Sequence, residues 1–160
     1  MNIFILDENP ELAARYHCDK HVIKMILETA QILSTVIRLQ RNVPVDISIY
    51  KVTHQNHPCV KWASKSLANM TWLFRLGVEL CKEYNYRWGK YHASEPILYY
   101  CNQLMVYGEY EMNTLTAFAQ AMPEYCKDPD NAVNAYRTYY IMEKKHLLTY
   151  IKRNKPPWLD

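Results

Sequence analysis

The segment from Pro10 to Arg38 constrains the fold most, because apolar residues recur through it at helical spacing with no internal glycine or proline. Asn9 is a suitable N-cap, and Pro10 suits the first helical position, where a missing N–H costs nothing. The pattern predicts one helix from Pro10 to about Arg38. Apolar residues cover most of its circumference, from Leu12 and Tyr16 through Val22, Met25 and Ile26 to Leu33 and Ile37, so such a helix packs on several sides and lies at the centre of the fold. Wound at about 3.6 residues per turn, it places His17, His21, Lys24 and Glu28 on one stripe. Ionisable groups on a buried helix are costly unless they find partners or line a cleft.

The chain has only three glycines among its 160 residues, and 49% of the chain is hydrophobic. Few tight turns and a large apolar fraction indicate an all-α protein. No Gly/Ser-rich or Pro-rich linker divides it, so residues 1–160 are read as a single compact domain of about four main helices. After the first helix, Gln40 to Gln55 reads as a loop with one irregular extended piece. A second helix begins near Pro58 and runs to about Glu83, and a third runs from Ser94-Glu95-Pro96 to about Tyr107. A last long helix has Asp128 as N-cap and Pro129 at its first position, and carries Val133, Tyr136, Tyr140, Leu147 and Ile151 on one face. Residues 2 to 6 form a brief apolar run, read as a short strand or an extended arm beneath the core. Trp158, after two prolines, is expected to fold back onto the protein.

The net charge of +3 permits nucleic-acid binding without requiring it. Lys144, Lys145, His146, Lys152, Arg153 and Lys155 concentrate positive charge near the C-terminus. The chain holds fourteen tyrosines, four tryptophans and three phenylalanines, a load that suits half-buried walls and stacked bases as well as plain core filling. Five scattered cysteines, none in a Cys-x-x-Cys pair, read as reduced thiols. With no signal-like or membrane-spanning run, the protein is expected to be soluble and cytoplasmic.

Gly-rich phosphate loops, Gly-x-Ser-x-Gly elbows and His-Glu-x-x-His pairs are all missing from the sequence, which disfavours common nucleotide kinases, serine hydrolases and metalloproteases. Three constellations remain. His17 and His21 stand four residues apart and could chelate a metal with His54 and His57 if the loop docks on the first helix; otherwise these histidines cap and hydrogen-bond inside a polar pocket. Lys24, if desolvated, would offer a nucleophilic amine with Glu28 one turn away as acid or base; otherwise the two form an ordinary i,i+4 pair. The third is basic and aromatic: His54, Asn56 and His57 precede a helix N-terminus suited to phosphate, and Arg87, Lys90 and His92 are interleaved with Tyr84, Tyr86, Trp88 and Tyr91.

Several stretches together carry a family resemblance. Glu11-Leu12-Ala13 followed by His17, then His57-Pro58-Cys59-Val60 before a helix ending Leu80-Cys81-Lys82-Glu83, then Tyr136-Arg137-Thr138-Tyr139-Tyr140, resemble the phage-type pyrimidine-dimer DNA glycosylases with AP lyase activity. The resemblance implies an all-helical, metal-independent and cofactor-free enzyme that flips a nucleotide out of duplex DNA. It also implies attack on the sugar C1′ by an N-terminal α-amine, giving an imine and then strand cleavage. In that family the amine belongs to a small residue exposed after Met removal, whereas Asn2 disfavours removal of Met1. The family's glutamate falls at or beside Lys24, so Glu28 would have to replace it.

The leading expectation is therefore a DNA-base-directed glycosylase/lyase with no cofactor and damaged duplex DNA as its partner. Met1 or Lys24 supplies the amine, Glu28 with His17 or His21 handles protons, and His54, Asn56, His57, Arg87, Lys90, His92, Arg137 and Tyr139 hold the nucleic acid. The alternatives are a metal-dependent hydrolase built on the four histidines His17, His21, His54 and His57, and a nucleotide- or nucleic-acid-binding module without catalysis.

Overall fold

A computed structural model of the chain describes residues 1–40 and 48–159; part of the expected 40–55 loop lies outside the described residues. The described chain is all-helical, with α1 (Pro10–Tyr16), α2 (Asp19–Leu39), α3 (Pro58–Lys65), α4 (Leu67–Trp88), α5 (Glu95–Met105) and α6 (Ala132–Glu143). Short 3-10 turns follow at Glu124–Cys126, Lys145–Leu147 and Pro157–Leu159. Helix α2 is the hub, packed against α3, α4 and α5, while α1 packs on α4. Residues Ile3 to Leu6 are buried and belong to no helix or strand, so the N-terminal run is a buried arm and not a strand.

Asn9 caps α1 through its side chain, which accepts from Glu11 N–H, with Pro10 next. The predicted single helix is nevertheless broken, for His17 and Cys18 both have extended ψ angles, 132° and 160°. The cause lies 70 residues away in sequence, where the Arg87 guanidinium donates to the His17 carbonyl at 3.0 Å. It also donates to the Arg15 carbonyl at 3.1 Å and to Asp19 Oδ1 at 3.0 Å. A helix end leaves carbonyls unpaired and favours a cation; Arg87 supplies both the donors and the charge. Asp19 is held besides by Ile151 N–H, and Asp19 N–H donates to the Thr149 carbonyl. His17 therefore belongs to the α1 C-cap, and the four-residue stripe of the sequence reading is reduced to His21, Lys24 and Glu28.

The second predicted helix is divided in the same way. Ser66 adopts φ −149° and ψ 140°, caps α4 by accepting from Ala68 N–H, and donates its hydroxyl proton to the Thr114 carbonyl. At the start of the last helix the N-cap is Asn131 rather than Asp128. Asp128 instead closes the preceding turn by accepting from Asp130 and Asn131 N–H. This helix ends at Glu143, so Leu147 falls in a 3-10 turn and Ile151 beyond it. Trp158 does fold back, with its ring 5.9 Å from Tyr16 and 6.1 Å from Tyr140.

Candidate active site

Glu28 sits on α2 at the edge between the buried face and a short exposed strip made of Lys20, Ile23, Lys24 and Leu27. Its side chain is only 9% exposed, and both carboxylate oxygens are engaged. Oε2 accepts from the Asn2 backbone N–H at 2.8 Å and faces the Met1 α-ammonium at 3.8 Å. Oε1 faces Lys24 Nζ at 3.4 Å. The buried arm thus delivers the chain's first amine to the carboxylate of α2. The Met1 side chain is 2% exposed although the residue as a whole is half-buried, so the exposure it has belongs to its main chain.

Lys24 does not meet the condition that would have made it a nucleophile by desolvation. Its side chain is 67% exposed, and it lies beside Glu28 as an ordinary i,i+4 pair. Of the two amines, the one at the N-terminus is the one held by buried structure.

The 53–58 loop docks on α2 through Thr53 and Thr35, whose hydroxyl accepts from Thr53 N–H at 3.2 Å and donates to its carbonyl at 3.3 Å. This brings His57 into electrostatic range of the Met1 ammonium and of Glu28. Burial first, then the Met1 ammonium, then His54 push the His57 pKa below its ordinary value, against a smaller pull from Glu28. His57 Nδ1 accepts from Cys59 N–H, so the neutral ring carries its proton on Nε2. That bond also occupies the first donor of α3, where a phosphate was expected. His54 sits at φ 47° with Nδ1 on the Thr53 hydroxyl, and Asn56 is exposed. Along the next turns of α2, Gln31, Arg38 and residues 49–53 line an open cavity of ≈ 660 Å³.

His17 and His21 are in the core. His17 Nδ1 pairs with the Ala13 carbonyl at 2.6 Å, and His21 Nδ1 pairs with the Tyr140 hydroxyl at 2.6 Å while its ring stacks on Phe4. Burial lowers their pKa values to about 4 and about 3, so both rings are neutral at pH 7. Among the described residues, no group of three or more His, Cys, Asp or Glu side chains is placed to hold a metal ion, so the four histidines do not form one site.

Two of the expected phosphate ligands are committed within the fold. Arg87, 2% exposed, joins Asp19 and Glu83 as well as the α1 carbonyls. Arg137 donates to the Leu6 carbonyl, pairs with Asp7 and lies over the Trp158 ring. Tyr139 packs on Phe4 and under the Lys144 ammonium. His92 accepts from Ser94 N–H, burial pushes its pKa down against a smaller upward pull from the Ile23 main chain, and Lys90 and Tyr91 just before it are exposed. The sequence reading missed Asn2 and Tyr136, whose side chains meet beside Glu28; only the tertiary fold shows this.

An N-terminal amine held against a buried glutamate, with half-buried His57 in electrostatic range of both, sets a potential nucleophile beside a proton acceptor. The family model for pyrimidine dimer DNA glycosylases matches residues 1–97, a span that contains Met1, Lys24, Glu28, His54 and His57. The chain belongs to that family. Its substrate class is accordingly DNA, and its fold agrees with the all-helical expectation. Comparison with curated proteins and with solved structures finds no significant match. Among the described residues, no helix is long and apolar enough to cross a membrane.

Proposed function

We propose that this glycosylase acts on damaged duplex DNA through the Met1 α-amine and couples base removal to strand cleavage. The observation that carries the reading is the 3.8 Å approach of that amine to Glu28, a carboxylate the fold keeps 9% exposed. In this reading the free amine attacks C1′, and the bond from C1′ to the damaged base breaks with its electron pair leaving on the base. The surplus proton of the new C–N nitrogen neutralises the departing base, and the attack is opened by loss of one proton from the Met1 ammonium. Glu28 is the nearest base to receive that proton, and in acid form it can return one as the sugar ring opens. Loss of a C2′ proton from the resulting imine then expels the 3′ phosphate.

Lys24 keeps a cation beside Glu28 and, being exposed, can reach a phosphate. Lys90, His54 and Asn56 have the exposure for further backbone contacts. Neutral His57 offers Nε2–H as a donor near the amine. An extruded nucleotide has space in the cavity beside Gln31 and Tyr50.

The test is borohydride trapping on duplex DNA carrying a pyrimidine dimer or an abasic site. The unmodified protein should form a covalent adduct, lost on N-terminal acetylation and retained in Lys24→Ala. Glu28→Gln should slow adduct formation by about a hundredfold or more, the usual size of a lost proton-transfer group. An adduct that survives acetylation and disappears in Lys24→Ala would move the chemistry to Lys24, and no adduct with the unmodified protein would end the amine mechanism.

A further inference from the structure

The family match ends at residue 97, yet the arm that carries the amine is held by residues well beyond it. Asn2 is the point of attachment. Its side-chain Nδ2 donates to the Ala121 carbonyl at 2.9 Å, and its Oδ1 accepts from the Tyr136 hydroxyl at 3.1 Å. The same oxygen accepts from Ile3 N–H at 2.8 Å and from Cys59 Sγ at 3.6 Å, while the Asn2 N–H donates to Glu28. Tyr136 is fully buried, shares its proton with the Ala119 carbonyl, and accepts from Ala121 N–H. Every polar atom of the Asn2 side chain is therefore directed by a named partner, two of them from the segment 119–136.

We infer that this segment completes the amine site, with Asn2 and Tyr136 as positioning residues that fix the Met1 amine against Glu28. The inference rests on the proposal that the Met1 amine is the nucleophile. A flexible N-terminus would sweep its amine through many positions, and effective molarity depends on holding the reacting atoms in one geometry. The arm has no helical hydrogen bonds of its own, so the Asn2 contacts act together with the buried Met1 side chain to fix its first residue. Asn2 touches neither substrate nor leaving group in this account; it acts through the placement of the adjacent amine.

The experiment measures single-turnover imine formation by borohydride trapping, together with DNA affinity and thermal unfolding. Asn2→Leu removes the amide while keeping a bulky second residue, so Met1 stays in place, which mass spectrometry verifies. Tyr136→Phe removes one hydroxyl and leaves the N-terminus untouched, so it keeps the question open to test if Asn2→Leu does not fold. Tyr140→Phe, one turn along α6 and bonded to His21 instead, measures the cost of losing a buried hydroxyl elsewhere. Both Asn2→Leu and Tyr136→Phe should slow imine formation about tenfold or more with DNA affinity within about twofold of the unmodified protein. Tyr140→Phe should lower thermal stability without slowing the step. Imine formation at the unmodified rate in folded Asn2→Leu or Tyr136→Phe overturns the inference while leaving the amine mechanism standing. An equal slowing in Tyr140→Phe also overturns it, since the effect would then follow stability and not placement. Absence of any adduct with the unmodified protein overturns the amine mechanism and this inference together.

Discussion

Acid should destabilise this protein through His17 and His21 in particular. Their folded pKa values, about 4 and about 3, lie below the ordinary 6.5 because burial disfavours the charged rings. The unfolded chain then binds protons that the folded chain refuses. Stability is complete above about pH 6.5 and is lost as pH falls toward the folded values. Between pH 7 and pH 5 each histidine removes about 2 kcal/mol, together about 4 kcal/mol from a total that for such domains is about 5–15 kcal/mol. With both residues fully linked, stability changes by about 2.7 kcal/mol per pH unit, two protons at about 1.36 kcal/mol each. His21→Phe keeps a ring against Phe4, whose centroid lies 4.4 Å away, and removes one of the two protons. It should lower stability at neutral pH, because the Tyr140 hydroxyl loses its His21 partner, and it should reduce the slope by one proton, about 1.36 kcal/mol per pH unit. Urea unfolding at half-unit steps from pH 7.5 to 4.5 measures both. A slope in His21→Phe equal to that of the unmodified protein would refute the assignment of these rings as buried and neutral.

Three other substitutions probe separate parts of the structure. Lys24→Ala should reduce the slope of log affinity for DNA against log salt by about 0.9 if its ammonium meets one phosphate, and an unchanged slope in a titration would remove it from the interface. Arg87→Met leaves the buried carboxylates of Asp19 and Glu83 without their shared partner and uncovers the α1 carbonyls, for a cost of about 3–5 kcal/mol in urea unfolding. A loss below about 1 kcal/mol would mean that Arg87 does not hold the break between α1 and α2. Gly77→Ala would place a methyl group 3.0 Å from the Leu98 and Thr29 side chains, both fully or nearly fully buried; overpacking of about 1–3 kcal/mol set against about 1 kcal/mol gained in helix propensity should leave a net loss of up to about 2 kcal/mol. Unchanged or raised stability there would show that α4 and α5 have room to shift.

The local chemistry at the helix starts was legible where one residue decides it. Asn9 before Pro10 announces α1 whatever the rest of the chain does, because an N-cap satisfies donors within its own turn. The helix ends were not legible in the same way. Nothing in Tyr16-His17-Cys18-Asp19 breaks a helix locally, and the break depends on Arg87 arriving from α4. The same guanidinium explains why a basic residue in an aromatic segment is structural here. A cation reads alike in sequence whether it faces phosphate or buried carboxylates, and only its burial separates the two.

By itself, the sequence determined the all-helical class, the apolar character of α2, the family, and the presence of a carboxylate and an amine within a short N-terminal span. Periodicity, the scarcity of glycine and motif spacing are properties of the chain as written, and they survive any packing. The tertiary structure decided which amine Glu28 meets, that His17 and His21 belong to the core, and that residues from beyond position 97 hold Asn2. Those outcomes turn on distances between segments up to 134 residues apart, which no local pattern encodes.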